Sequence, residues 1–422
     1  MKIINSIILC FLTICAFGQQ VEKSSFNDVL LKGATLVTVT NGTMQSDLLV
    51  SNGKIQKIGK DLEAGDATVV NCEGKFIYPG MIDGGTKLGL GEVGSISLTQ
   101  DSDEIGEYTP HMQALTAVNP NSVAIPVTRV NGVTTVITTP TGDLFPGTAA
   151  LINLHGYTPD QMYAGFKAVI MNYPSTGKRG RRDKRSEEDI KKDNEKSLKK
   201  LKDFWQQAEV YATIDDGSYN PQLSAVLPIV KKEAPLIISV NKKSDILSAI
   251  KWSQEKEFKV IFSGVADGWR VADSLAKYKI PVIAGPVLRI PSRQSDRYDA
   301  AYTNVAKMVK AGVKVCLRTN ETENVRNLPF NAGFAAAYGL GVEEALKTVT
   351  INPAEIFGVA DQLGSLEEGK VANLFVSTGD PFETKTQIEH LFIAGWKVPI
   401  ESRQTLLYDE FLERDPGAEK NK

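Results

Sequence analysis

The 422-residue chain has 48 basic and 50 acidic side chains, a net charge of −2 with histidine neutral, and 42% apolar residues. This balance excludes a disordered or fibrous chain, and it gives no electrostatic case for nucleic acid or an acidic membrane surface. The length suits one large α/β barrel with an appendage, or about two or three average domains.

Residues 1–18 have the grammar of a secretory signal: Lys2, an apolar run from Ile3 to Phe17, then Gly18-Gln19-Gln20. The run is short for a membrane span, so export with cleavage near Gly18 is expected, to a periplasmic or extracellular place. No later stretch is long and apolar enough for a transmembrane helix. Cys72 and Cys316 then remain, far apart and in apolar runs, so both read as buried free thiols.

From Asp28 to Pro79 the text is β, with short β-branched runs broken by turn signals at Asn41-Gly42 and Asn52-Gly53. A small antiparallel sheet is expected. The same texture returns from Leu366, with a hairpin about Gly395. Between these ends, apolar strand runs alternate with helical periodicity. Strands are read at Val133–Thr138, Phe166–Met171, Val210–Ile214, Leu236–Val240, Lys259–Phe262, Pro281–Ala284 and Val313–Leu317. Helices are read at Ser244–Lys256, Val271–Tyr278, Ala300–Ala311 and Val342–Val349. The alternation predicts a parallel sheet, closed as a (β/α)8 barrel or open and doubly wound. Lys178 to Arg185 is strongly basic. The helix after it has one apolar face, formed by Ile190, Leu198, Leu201, Trp205 and Ala208.

The stretch Tyr78-Pro79-Gly80-Met81-Ile82-Asp83-Gly84-Gly85-Thr86-Lys87 organises the rest. It resembles the first barrel strand of the amidohydrolase superfamily, Pro-Gly-x-Ile-Asp-x-His-x-His, in its imidazolonepropionase-like branch. Tyr108 to Pro120, Asn131 to Val136, Thr350 to Gly358 and Leu363 to Leu374 carry the same resemblance. It implies a (β/α)8 barrel over 83–362 and a β-sandwich built from both chain ends, 19–82 and 363–412. A charged tail, 413–422, follows.

The resemblance also implies where metal ligands belong. Each such place holds another residue here. The first-strand His-x-His reads Gly85-x-Lys87, the fourth-strand acid Asn172, the fifth-strand pair Ser239-x-Asn241, the sixth-strand histidine Ser263 and the last-strand aspartate Asn320. The family uses zinc or a similar ion to ionise water and polarise a carbonyl. With these replacements no cofactor is expected. Lys87 and Asn320 remain as catalytic candidates. Glu92, Asn172, Ser239, Asn241, Ser263 and Arg318 are candidates for substrate contacts. Lys87 either fills a vacated place, binds a carboxylate or carbonyl, or acts as an amine, and Glu92 or Asp83 is its expected partner. His111, His155 and His390 are the chain's three histidines, unpaired in sequence and read as structural. Asp215-Asp216-Gly217 is mainly turn chemistry, with a weak catalytic claim.

Two functions follow from the resemblance. One is a hydrolase of C–N bonds in cyclic or peptide-like amides, acting on a small amide-like ligand. The other is a non-catalytic relative that binds such a ligand, as a homo-oligomer or as the partner of an active paralogue.

Overall fold

The computed structural model describes residues 23–177, 183–214, 219–291 and 296–414. The signal-like segment, Lys178 to Arg182, Asp215-Asp216-Gly217 and the end of the charged tail lie outside the described residues.

Five strands open the chain: β1 (Val29–Val37), β2 (Thr43–Ser51), β3 (Lys54–Gly59), β4 (Thr68–Asn71) and β5 (Phe76–Pro79). Eight form the barrel: β6 (Met81–Thr86), β7 (Val133–Thr138), β8 (Gly147–Asn153), β9 (Tyr163–Asn172), β10 (Leu236–Val240), β11 (Val260–Gly264), β12 (Val282–Ala284) and β13 (Val315–Leu317). Three close it: β14 (Leu374–Ser377), β15 (Ile388–Ile393) and β16 (Trp396–Val398). The two chain ends share one sheet, in the order β16-β15-β14-β5-β1-β2-β3 with β4 beside β1. This sheet is not wholly antiparallel, because β1 runs parallel to both β4 and β5. It changes partner across Gly33, whose φ of 75° bends the strand. Leu31, Leu36, Leu48, Ile55, Ile77, Leu374 and Phe392 fill the core of this domain.

The barrel strands follow chain order around the wall, from β6 to β13. Seven are parallel. β8 is antiparallel to β7 and β9, which corrects the all-parallel expectation. The link from β7 to β8 contains no helix, so the chain turns back as a hairpin; a parallel return needs a longer crossover. A second correction concerns Val210 to Ile214. This run is no strand: helix Glu187–Tyr211 ends inside it, Ala212 and Thr213 turn, and Val210 and Ile214 are exposed. Burial of Ile190, Leu201, Phe204, Trp205 and Ala208 on one face decides for the helix over the β-branched text. Ser186 and Asp189 cap its start reciprocally.

Inside the barrel lie Ile82, Ile137, Leu151, Ile170, Ile237, Ile261, Ile283 and Cys316. Outside, Leu236, Ile238, Val240, Phe262, Val282, Val315 and Leu317 pack against the helices. The period of two therefore sets the next inward residues, one step towards the mouth: Thr139, Asn172, Ser239, Ser263, Gly285 and Arg318. A floor of isoleucine carries a polar ring, and that ring is the candidate site. Each fully buried isoleucine contributes roughly 1.5–3 kcal/mol, so the floor is rigid ground.

Gly84 is packed too closely for any side chain. A Cβ there would lie 2.9 Å from the Cys316 sulfur and 3.0 Å from Ile283 Cγ2 and the Leu317 carbonyl oxygen. Gly84→Ala should therefore cost about 1–3 kcal/mol by overpacking, read as a lower urea midpoint. Cys316→Ala in the same chain should recover part of the loss, because the two sites touch.

Candidate functional site

Barrel closure brings β6 and β13 together, and one carboxylate stitches them. Asp83 is fully buried and accepts from Gly85 N (2.9 Å), Thr319 Oγ1 (2.6 Å) and Thr319 N (3.1 and 3.2 Å to its two oxygens). Asn320 N donates to Gly85 O (3.0 Å) and Lys87 N to Glu321 O (2.9 Å), extending the seam. Burial drives the Asp83 carboxyl from its ordinary 3.8 up to about 7, although these donors and the nearby Arg318 pull it down. Asp83 is committed here and does not pair with Lys87.

Arg318 follows β13 and turns into the mouth. Its Nη1 donates to Ser263 Oγ (2.8 Å) and its Nε to Gly285 O (3.2 Å). Its stem lies on Gly85, where a Cβ would be 3.3 Å from Arg318 Cδ, and its Nη2 lies over Gly264, 3.3 Å from such a Cβ. Gly264 and Gly285 have φ of 91° and 118°, which L side chains avoid. Gly85 and Gly264 thus leave room for the Arg318 side chain, and Gly285 for the Arg318 backbone carbonyl, 2.5 Å from where its own Cβ would stand. Burial lowers the guanidinium's pKa to about 10, and Asp83 raises it against that effect.

The other site residues divide. Ser239 sits in register between Asn172 and Ser263, so these three belong to one level of the ring. Asn172 Nδ2 is held by the carbonyls of Gly142 (3.0 Å) and Asp143 (2.6 Å). Asn241 packs on Gly264, its Oδ1 2.5 Å from where a Cβ would stand. Asn320 is exposed, in a left-handed turn of φ 57°. Lys87 is half-buried on the same rim and forms no ion pair among the described residues. The expected Glu92 partnership is absent, because Glu92 accepts from Asn119 Nδ2 (2.9 Å) and Ser122 Oγ (3.3 Å).

The three histidines do not meet. His111 lies in the loop before helix Ala114–Ala117 and His390 in β15. His155 follows β8 and packs on Trp396, and burial with Arg129 pushes it down to about 4. Both thiols are buried, free and raised by desolvation, Cys72 to about 11. Among the described residues no group of three or more His, Cys, Asp or Glu side chains is placed to hold a metal ion. Sequence reasoning named Arg318 but not its central place, and it passed over Gly264 and Gly285. The signal available was the step of two from Ile283 and Cys316.

A model of the amidohydrolase family matches residues 128–398, well over half of the chain, and the chain belongs to that family. A D-hydantoinase of Geobacillus stearothermophilus is 38% identical over 77 residues, 18% of this chain and 16% of that protein. A dihydroorotase of Acetivibrio thermocellus is 43% identical over 58 residues, 13% of each. The chain thus matches less than a fifth of the length of these relatives. Among solved structures, an amidohydrolase from Thermotoga maritima is similar at a TM-score of 0.78 and 26% identity, over 88% of this chain and 99% of that one. Molinate hydrolase, at 16% identity and a TM-score of 0.56, shares the fold.

The Asp83 seam carries a signed pH dependence. The folded state holds the extra proton between 3.8 and about 7, so this group's contribution is complete below 3.8 and falls as pH rises through 7. Asp83→Asn removes that dependence. Its cost in urea unfolding should be largest near the acid end of this window and shrink towards neutrality. A cost that grows with pH would contradict the assignment.

Proposed function

We propose that this family member takes a small amide-like molecule at the barrel mouth, and that metal-dependent hydrolysis is weak or lost. One observation supports this above others: the stem of Arg318 lies against Gly85, its Cδ 3.3 Å from where a Cβ would stand, at the place where the resemblance puts the first imidazole. The donor set around it does not fit a divalent ion. Gly85 offers no side chain, Lys87 is a cation, and Ser263 already accepts from Arg318. Two unit charges 4 Å apart repel by about 4 kcal/mol at an effective dielectric near 20, and a dication doubles this. No hydrolytic step is therefore routed through a metal. The relatives named hydantoinase and dihydroorotase favour a cyclic amide as the ligand.

In this reading the mouth binds by shape and hydrogen bonding. The isoleucine floor excludes water below, while Ser239, Asn241 and Arg318 offer donors above. Export is part of the proposal, motivated by the signal-like residues 1–18. Among the described residues no helix is long and apolar enough to cross a membrane. Mass spectrometry of the chain expressed with its own amino terminus should find cleavage near Gly18.

A second reading keeps catalysis, with Lys87 as the amine or base, because it stands on the rim without an ion pair among the described residues. Lys87→Met then abolishes turnover but not binding.

The deciding measurement uses purified protein with hydantoin and dihydroorotate, with and without one equivalent of zinc. Calorimetric binding without zinc-dependent ring opening is expected. Zinc-dependent turnover, lost with a chelator and restored by zinc, would sink the proposal.

A further inference from the structure

A second cleft lies away from the mouth and shares no residue with the polar ring. Its volume is about 440 Å³, within the range that holds a small organic ligand. One wall is helix Leu328–Ala335 and the broken turn Ala336–Leu340 that continues it. Leu328, Ala332 and Ala335 of this helix pack on the outside of the barrel. Phe330, Phe334 and Tyr338 are spaced four residues apart, which sets them on another face, and all three line the cleft. The rings of Phe334 and Tyr338 lie 7° from parallel with centroids 6.3 Å apart. Tyr302 braces both, at 5.4 and 4.9 Å. Gly339, with φ of 106°, ends the helical run, and Val342 opens the next helix on the same cleft. The facing wall is the turn after β14. There Phe382 packs on Gly333, where a Cβ would stand 3.2 Å from Phe382 Cβ. Asp380 Oδ1 accepts from Phe382 N (2.9 Å), and Thr386 Oγ1 donates to Asp380 O (2.6 Å), so the turn is braced by its own hydrogen bonds.

The lining is apolar and acidic at once. Phe334 is 42% exposed and Val342 55%, so apolar surface faces water in a concave place. Two carboxylates, Asp380 and Glu383, share the cleft with four aromatic rings, and no basic side chain lines it. Lys310, near Gly339, and Lys385, on the turn itself, form no ion pair with either acid among the described residues. The face of an aromatic ring carries the negative part of its quadrupole, so the rings and the carboxylates attract the same sign of charge. A neutral apolar ligand leaves the carboxylates unused, and an anion is repelled. An apolar cation satisfies both parts of the lining.

We propose that this cleft is a second ligand site, separate from the mouth, that takes an organic ammonium ion. The apolar part of an aryl- or alkylammonium lies on Phe330, Phe334 and Phe382, and its charge faces Asp380 and Glu383.

The test titrates ligands of one size into the full chain by calorimetry: 2-phenylethylammonium, neutral 2-phenylethanol and, as a competitor, phenylacetate. The ammonium should bind at least tenfold more tightly than the alcohol, and phenylacetate should not displace it. The double variant Asp380→Asn with Glu383→Gln keeps an acceptor for Phe382 N and should bring the ammonium down to the affinity of the alcohol. Ala337→Trp fills the cleft from an exposed position and should abolish binding of both. Circular dichroism checks that the variants fold, and should Ala337→Trp fail, the double variant decides. Equal affinities for ammonium and alcohol in wild type overturn the site, as does an ammonium preference that survives either variant, or no binding at all. Neither variant touches the mouth, so titration with hydantoin tests that site independently.

Discussion

Everything at the mouth depends on how β6 meets β13. The first and last strands of a barrel must be joined without a continuous ladder here, since β13 is only Val315–Leu317. Asp83 makes the join by accepting from the backbone N–H and the hydroxyl of Thr319 across the seam, and from Gly85 N on its own strand. A carboxylate offers about four acceptor positions in one small group, which suits a gap between strand ends. Its full burial is costly, and the neighbouring guanidinium offsets part of that cost. The seam and the cation are therefore coupled. Asp83 holds Thr319, and Thr319 fixes the backbone from which Arg318 enters the mouth.

That coupling explains the glycines. Register between β6 and β7 shifts twice, at Met81/Ile82 and between Asp83 and Thr86. The second shift is a bulge that turns consecutive residues, Gly84 and Gly85, towards the interior. At Gly84 the sulfur of Cys316 takes the space, and at Gly85 the stem of Arg318 takes it. Side chains at these positions would compete with the residues of β13. The lack of a side chain at Gly85 and the entry of the Arg318 stem are thus one packing event, seen from two strands.

Much of this was legible before any coordinates. The resemblance and the repeated apolar runs gave seven of the eight wall strands, all but β8, and a sheet shared by both termini. The positions singled out on strands four, five and six are Asn172, Ser239 and Ser263, and they share one level in register. Two things were not legible. The direction of β8 depends on the length of its connection, not on its composition, and a Leu-Ile-Asn-Leu run reads the same either way. The segment Val210–Ile214 shows local β propensity losing to the burial of a helix face that begins at Ile190. Arg318 was visible as a residue but not as a centre, because only closure of the barrel puts it on Gly85. The expected pairing of Lys87 with Glu92 failed for a similar reason. Asn119 and Ser122 return from a later loop and claim the carboxylate first.

In the proposed reading a guanidinium stands at the mouth in place of a metal, and that changes what the same barrel does. A divalent ion acts by lowering the pKa of water and withdrawing electrons from a carbonyl. A guanidinium has one charge, spread over three nitrogens, and no open coordination position. It orients an acceptor, but it ionises no water at neutral pH. What it adds is direction, since its donors lie in a plane fixed here by Ser263 and Gly285. Chemistry at such a mouth has to come from a group beside the cation. Lys87, half-buried on the rim at the end of β6 and without an ion pair among the described residues, is the candidate this chain offers.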